Sequence, residues 1–353
     1  MTWLRWLLLA ILGLATAPAV AAPDLTVGAI YVGSVNDFGY NQSMHDGLMA
    51  MKDAIPGTKL LEAENVPESA EAERVMEGMI QQGAKLIFAT SFGHQQFAFN
   101  LAKKHPDVVF EHAGGWMQSP NFGNFFAATQ AAWYPMGVAA GKTTKSHTLG
   151  FVAGVPIGYV IGNINAFALG ARSVDPDVQV RVVVTGSWSD KGKEAAATSA
   201  LIDQGADVVT MHVDSPATVI QVAESRGVYS IGFQSIAASA LAPKGWLTGL
   251  GFTWGPFMTA TAKSVIDGTF KPAMVRDGLG SMIALAPFGS AVPEATRALV
   301  EAAADKIEKG YNPFTGPLAD NTGVIRIKDG EAWGGDKMGD FDWYVAGVVG
   351  KAK

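Results

Sequence analysis

The segment Ile80 to Ala89, Ile-Gln-Gln-Gly-Ala-Lys-Leu-Ile-Phe-Ala, recurs thinly disguised as Ile202 to Met211, Ile-Asp-Gln-Gly-Ala-Asp-Val-Val-Thr-Met, at an offset of 202 − 80 = 122 residues. The same offset pairs Val27 to Val32 with Leu149 to Gly154, and Val109-Phe110 with Ile231-Gly232. Three strand-like runs in register at one spacing describe one α/β unit used twice. Two similar α/β lobes in one chain create a cleft, and a cleft is where a small ligand is held.

The chain has 353 residues, enough for two domains of ordinary size. It is 48% hydrophobic and 16% charged, which supplies sizeable cores and argues against disorder. Net charge is −6 without a long Lys/Arg run, so nucleic acid is not an expected partner. Residues 1–22 read as a cleavable secretory signal, with Arg5 in the n-region, Leu7 to Leu14 as the apolar stretch, and Ala19-Val20-Ala21-Ala22 at the cleavage site. The sequence contains no cysteine. That removes disulfides, thiolate metal sites, Cys nucleophiles and a lipid-modified cysteine. An exported protein, periplasmic in a Gram-negative cell, is the expectation.

Each half reads as alternating strands and helices. In the first, Thr26 to Val32, Lys59 to Ala63, Leu86 to Thr90 and Val108 to Glu111 read as strands. Helices over Gln42 to Ile55, Glu68 to Gln82 and Gln95 to Lys104 separate them. The second half repeats this order from Thr148 to Phe233. Alternation of this kind argues for parallel sheets covered by helices on both faces. Lys145–Thr148 reads as one crossing between lobes and Leu247–Gly255 as a second. Lobe 1 is then 23–146 plus about 250–285, and lobe 2 is 147–249 plus part of 286–353.

Ligand-contacting loops in such sheets lie beyond the carboxyl ends of the strands. Those loops hold Phe38, Tyr40, Phe92, Trp116, Tyr159 and Trp188, with Asn36, Asn41, Asp214 and Gln234. Flat aromatics with a few amides and one or two carboxylates suit a planar ligand with a polar edge, such as a purine or pyrimidine. Taken singly these residues carry less. Asp214 before Ser215-Pro216, and Asn41 before a helix, are also plausible helix caps. His94, His112 and His212 sit near strand ends, but no spacing resembles a zinc motif, and packing or solvated histidines are the simpler reading. Neither a phosphate-cradling Gly-rich loop nor a nucleophile elbow occurs. No metal and no cofactor is expected. An enzyme using Glu111 or Asp214 as a base is the contrasting hypothesis, and it lacks a paired acid/base at suggestive spacing.

Several segments resemble the BMP (basic membrane protein) family of substrate-binding proteins of ABC importers, similar to bacterial purine-nucleoside receptors. They include Gly39-Tyr40-Asn41-Gln42, Glu64-Asn65-Val66-Pro67, Phe88 to Gly93, Phe110 to Gly114, Asn165-Ala166-Phe167, Leu201 to Val209, Trp254-Gly255-Pro256 and Pro313 to Pro317. The resemblance covers nearly all of the chain after the signal. It implies a type I periplasmic-binding fold, two Rossmann-like lobes joined by three crossings, with the ligand trapped on closure. It further implies that Tyr40 and Trp188 sandwich a base, with Asn36 and Asn41 at its edge and Phe92 and Trp254 as further walls. Nucleoside-binding members carry an Asp after the fourth strand of the second lobe, where this chain has Gln234, and a Lys at the return crossing that is replaced near Trp254. An amide accepts ribose hydroxyls less well than a carboxylate does. The expected ligand is therefore a purine base or nucleoside, with Asp214 and Gln234 fixing its edge or sugar. The expected partner is a membrane ABC permease and the expected state a monomer. A signalling receptor built on the same site is the alternative.

Overall fold

A computed structural model describes residues 25–352; the leader expected at residues 1–22 lies outside the described residues. In the first half the chain runs β1 (Thr26–Ile30), α1 (Tyr40–Ala54), β2 (Lys59–Ala63), α2 (Ala70–Gln81), β3 (Leu86–Ala89), α3 (Gln95–Lys104), β4 (Val109–Ala113) and β5 (Phe122–Ala127). It continues as α4 (Gln130–Thr143), β6 (Thr148–Ala153), α5 (Gly158–Arg172), β7 (Gln179–Val184), α6 (Lys191–Asp203), β8 (Val208–His212), α7 (Ala217–Ser225) and β9 (Tyr229–Gly232). The remainder is β10 (Trp246–Phe252), α8 (Gly255–Ile266), β11 (Met274–Asp277), β12 (Ile283–Leu285), α9 (Glu294–Glu308), a small hairpin of β13 (Leu318–Ala319) and β14 (Ile325–Ile327), and β15 (Val348–Val349).

The strands form two large sheets, in the orders β11-β5-β4-β3-β1-β2 and β12-β10-β9-β8-β6-β7-β15. All pairings are parallel except β10 with β12. The internal repeat survives in the register. Val27 pairs with Leu86 in the first sheet and Leu149 with Val208 in the second, both at the 122-residue offset. The flanking strands slip. Leu86 pairs with Val109 but Val208 pairs with Tyr229, so here the offset is 229 − 109 = 120. A two-residue slip preserves which side chains face which layer, because the strand period is two.

Two sequence expectations change. The first crossing lies at Ala128-Thr129, ahead of α4, and not at Lys145–Thr148, which joins α4 to β6 within the second lobe. Helix α4 packs against α5 and α9. It crosses α5 so closely that a Cβ on Gly137 would sit 2.1 Å from the Phe167 carbonyl oxygen. Helix periodicity does not reveal α4, because it is buried on nearly every side and carries Pro135 in its middle. Secondly, most of 247–255 is strand β10 of the second sheet, and the return crossing is confined to Thr253-Trp254. A third crossing, 278–282, leads back from β11 to β12. The crossings are tied together: Ala128 N–H donates to Asp277 O at 2.7 Å and Thr253 N–H to Met282 O at 2.9 Å. Among the described residues no helix is long and apolar enough to cross a membrane.

One buried group makes stability depend on pH. Glu111 on β4 fills the space that a side chain at Gly123 on β5 would occupy, and its Oε2 has no partner among the described residues. Burial pushes its carboxyl up to about 8 from an ordinary 4.5. The folded chain therefore binds more protons than the unfolded chain between those values, and this group's contribution falls as pH rises through that window. Glu111→Gln should remove the fall, so melting temperatures at about pH 6 and about pH 9 should converge relative to the parent. A parent and variant with parallel profiles would reject the assignment.

Candidate functional site

A cavity of about 650 Å³, counted to its mouth, opens between the two sheets where their strand carboxyl ends converge. The first lobe contributes Tyr40 from the start of α1, Ser91 and Phe92 after β3, Ala113 and Gly114 at the end of β4, Phe126 on β5 and Arg276 on β11. The second contributes Ile157, Tyr159 and Val160 before and within α5, Trp188 after β7, His212 and Asp214 at β8, and Gln234 after β9.

Five of the eight residues expected at the site border this cavity: Tyr40, Phe92, Trp188, Asp214 and Gln234. The other three do not. Asn36 is exposed on the loop before α1. Asn41 is buried and already engaged: its Oδ1 accepts the Gly33 N–H at 3.2 Å and its Nδ2 donates to Asp37 Oδ2 at 2.8 Å. Trp254 is packed in the hinge, stacked on Phe252 at 4.5 Å with its indole N–H directed at Ser43 Oγ. The capping roles also move. Asp37, not Asn41, caps α1, accepting the N–H groups of Gly39, Asn41 and Gln42. Asp214 does not cap α7, which begins at Ala217 behind Pro216 without a side-chain cap.

The lobes touch directly beside the cavity. Tyr40 N–H donates to Asp214 O at 3.1 Å, and Ser215 Oγ donates to Asp37 O at 3.4 Å. Gly39 makes this possible: a Cβ there would lie 2.2 Å from Asp214 O and 2.4 Å from Pro216 Cδ. The Tyr40 hydroxyl donates to Thr90 O, which holds the ring against the end of β3. Within the second lobe, Asp214 N–H donates to the Trp188 carbonyl at 2.7 Å, so the loops after β7 and β8 are fixed side by side.

The polar groups of the cavity are few and deeply set. Burial, reinforced by nearby Asp37, pushes the Asp214 carboxyl well above its ordinary value, although a hydrogen bond from Gln234 opposes the shift. Gln234 sits at φ 77°, a left-handed conformation uncommon for a residue with a side chain. It is 2% exposed, and its Oε1 has no partner among the described residues. Arg276 donates to Gly115 O and Val275 O, which anchors a cation in the wall. The histidines divide. His94 and His112 are buried inside the first lobe on the backbone carbonyls of Val66 and Ser91, whereas His212 borders the cavity. Glu111 does not border it.

Sequence reasoning missed Arg276 and Phe126 altogether and set His212 aside. Phe126 and Arg276 belong to the neighbouring strands β5 and β11, for which periodicity gave no element. The lone Arg in the Met274-Val-Arg-Asp run was the available signal, and only the pairing of β11 with β5 brings it to the cleft.

Residues 25–275 match the family model described as ABC transporter substrate-binding protein, PnrA-like. A purine-binding protein of Brucella abortus is 40% identical over 339 residues, covering 94% of this chain and 95% of its own. A putative ABC transporter glucose-binding protein of Haloferax volcanii is 32% identical over 242 residues, covering 69% of this chain and 61% of its own. Among solved structures, an ABC transporter solute-binding protein of Conexibacter woesei superposes with a TM-score of 0.68 at 23% identity, over 81% of this chain and 97% of its own, a likeness of fold. Two lobes of mostly parallel sheet closing on one aromatic cavity, and a family match across most of the chain, lead to one conclusion: this chain belongs to the Bmp family of PnrA-like ABC transporter substrate-binding proteins.

Proposed function

We propose that this protein captures a purine base or nucleoside between its lobes outside the cytoplasm and presents it, as a monomer, to a membrane ABC permease. The observation that carries the reading is the make-up of the cavity wall. Tyr40, Phe92 and Phe126 approach from one lobe and Tyr159 and Trp188 from the other. Between them lies a buried amide oxygen on Gln234 that needs an N–H donor. An aromatic slot takes a flat heterocycle on its faces, and adenine, hypoxanthine and their nucleosides each carry at least one N–H at the base edge. The purine-binding relative supports the same ligand class. Isothermal titration with adenine, hypoxanthine, adenosine, inosine and glucose tests the reading. Tight binding of at least one purine or nucleoside is expected; binding of glucose alone would reject it.

Gln234 also bears on base against nucleoside. Gln234→Asp removes the amide donor to Asp214 and sets a second carboxyl beside it, and a carboxylate accepts the paired hydroxyls of a ribose diol better than an amide does. The ratio of nucleoside to base affinity should rise in the variant. An unchanged ratio would remove Gln234 from sugar discrimination.

A further inference from the structure

A chain of buried polar side chains runs from the first crossing to the cavity. Thr129 is the N-cap residue of α4, yet its hydroxyl does not cap that helix. Instead Thr129 Oγ1 donates to Asn163 Oδ1 on α5 at 3.0 Å. With its oxygen engaged, Asn163 turns its amide nitrogen to His212 Nδ1 on β8 at 3.1 Å. All three side chains are buried, at 4%, 1% and 7% exposure. An amide nitrogen only donates, so Nδ1 is obliged to accept, and a neutral imidazole that accepts at one nitrogen carries its proton on the other. Burial holds the ring far below its ordinary range, at about 3, so it is neutral at physiological pH. The remaining nitrogen, Nε2, has no partner among the described residues, and the ring borders the cavity between Trp188 at 6.1 Å and Phe233 at 4.4 Å. The other charged or titratable groups of the wall are Tyr40, Tyr159, Asp214 and Arg276.

We propose that Asn163 is a positioning residue that locks His212 as an Nε2–H donor, so that the site selects ligands presenting an unprotonated ring nitrogen or a ring carbonyl opposite His212. The inference rests on the purine reading of the site for its ligand, and on the geometry alone for the tautomer. An N–H donor buried in the wall of a closed site is costly to leave unpaired, and it therefore discriminates more sharply than apolar contact does. Gln234 Oε1 supplies the opposite polarity nearby. The pair reads an edge on which an acceptor lies close to an N–H group.

Nitrogen NMR of the histidine rings in the unliganded protein reads the tautomer directly, with His212 assigned by its loss in His212→Phe. The Nε2–H form is expected; the Nδ1–H form would overturn the inference. Calorimetry then compares adenine with the analogues in which each ring nitrogen in turn is replaced by C–H, and hypoxanthine with unsubstituted purine. One replacement should weaken binding roughly 10- to 100-fold. That penalty should shrink to about twofold or less in His212→Phe, persist in His212→Gln, whose amide nitrogen lies near the place of Nε2, and fade in Asn163→Leu, where the ring is free to turn. Equal affinities across the series, or a penalty unchanged in His212→Phe, would overturn the inference. If no purine binds, the purine reading and the ligand half of this inference fall together, and the tautomer measurement still decides the other half.

Discussion

Gly39→Ala is expected to weaken ligand binding by roughly 100-fold or more while leaving the unliganded fold intact. The methyl group would be built 2.2 Å from the Asp214 carbonyl and 2.4 Å from Pro216. The first of these is backbone, so no side-chain rotation relieves the contact, and the lobes must part. Parting them breaks the Tyr40 N–H to Asp214 bond and opens the cavity beside Tyr40. In the open form the clash disappears, so the cost falls on closure rather than on folding. A penalty of about 3 kcal/mol on the binding-competent state lowers apparent affinity about 150-fold. Titration calorimetry measures that loss. Small-angle scattering should show that saturating ligand compacts the parent and not the variant. Parent-like affinity would mean that closure does not need this contact.

Trp188→Ala should cost about 1–3 kcal/mol of binding, roughly 5- to 150-fold in Kd, if the indole forms one face of a slot for a base. Trp188 is half-buried, borders the cavity, and is set by its carbonyl contact with Asp214 N–H. Asn36→Ala is the matched control and should leave affinity within about twofold, because Asn36 is exposed outside the cavity. A loss in the control with none in Trp188→Ala would reverse the site assignment. In that case the loop before α1, rather than the aromatic wall, would hold the ligand.

The strands and helices that alternate along each half were legible because each obeys a local rule. Amphipathic spacing marks α1, Glu71 and Glu73 near the start of α2 complement its helix end, and Gly83 and Gly205 stop equivalent helices at φ 96° and 95°. Helix α4 breaks the rule, since a helix buried on all sides has no polar face to give it a period. Strand β11 is similarly silent, being four residues with an Arg and an Asp at an edge of its sheet. Both omissions bear on the site, one because Thr129 is the N-cap residue of α4 and the other because β11 carries Arg276.

The candidate site was half legible for a related reason. Listing residues at strand ends finds the neighbourhood, since a parallel sheet aims its loops at one edge. It does not say which side chains reach the ligand and which hold the loop. Asn41 and Trp254 were in the right loops and are engaged elsewhere, by Gly33 and Asp37 in one case and by Phe252 and Ser43 in the other. His212 looked like one histidine among several until Asn163, 49 residues earlier, was seen to bond it.

By itself, then, the sequence determined the duplicated α/β unit, the existence of a cleft and the aromatic character of its rim, because periodicity and repetition are properties of neighbours along a chain. Only the tertiary structure decided where the chain crosses between lobes, that Gly39 meets Asp214, and that Thr129, Asn163 and His212 form one line. Those are contacts between residues 29 to 175 positions apart, and no local pattern encodes a partner at that distance.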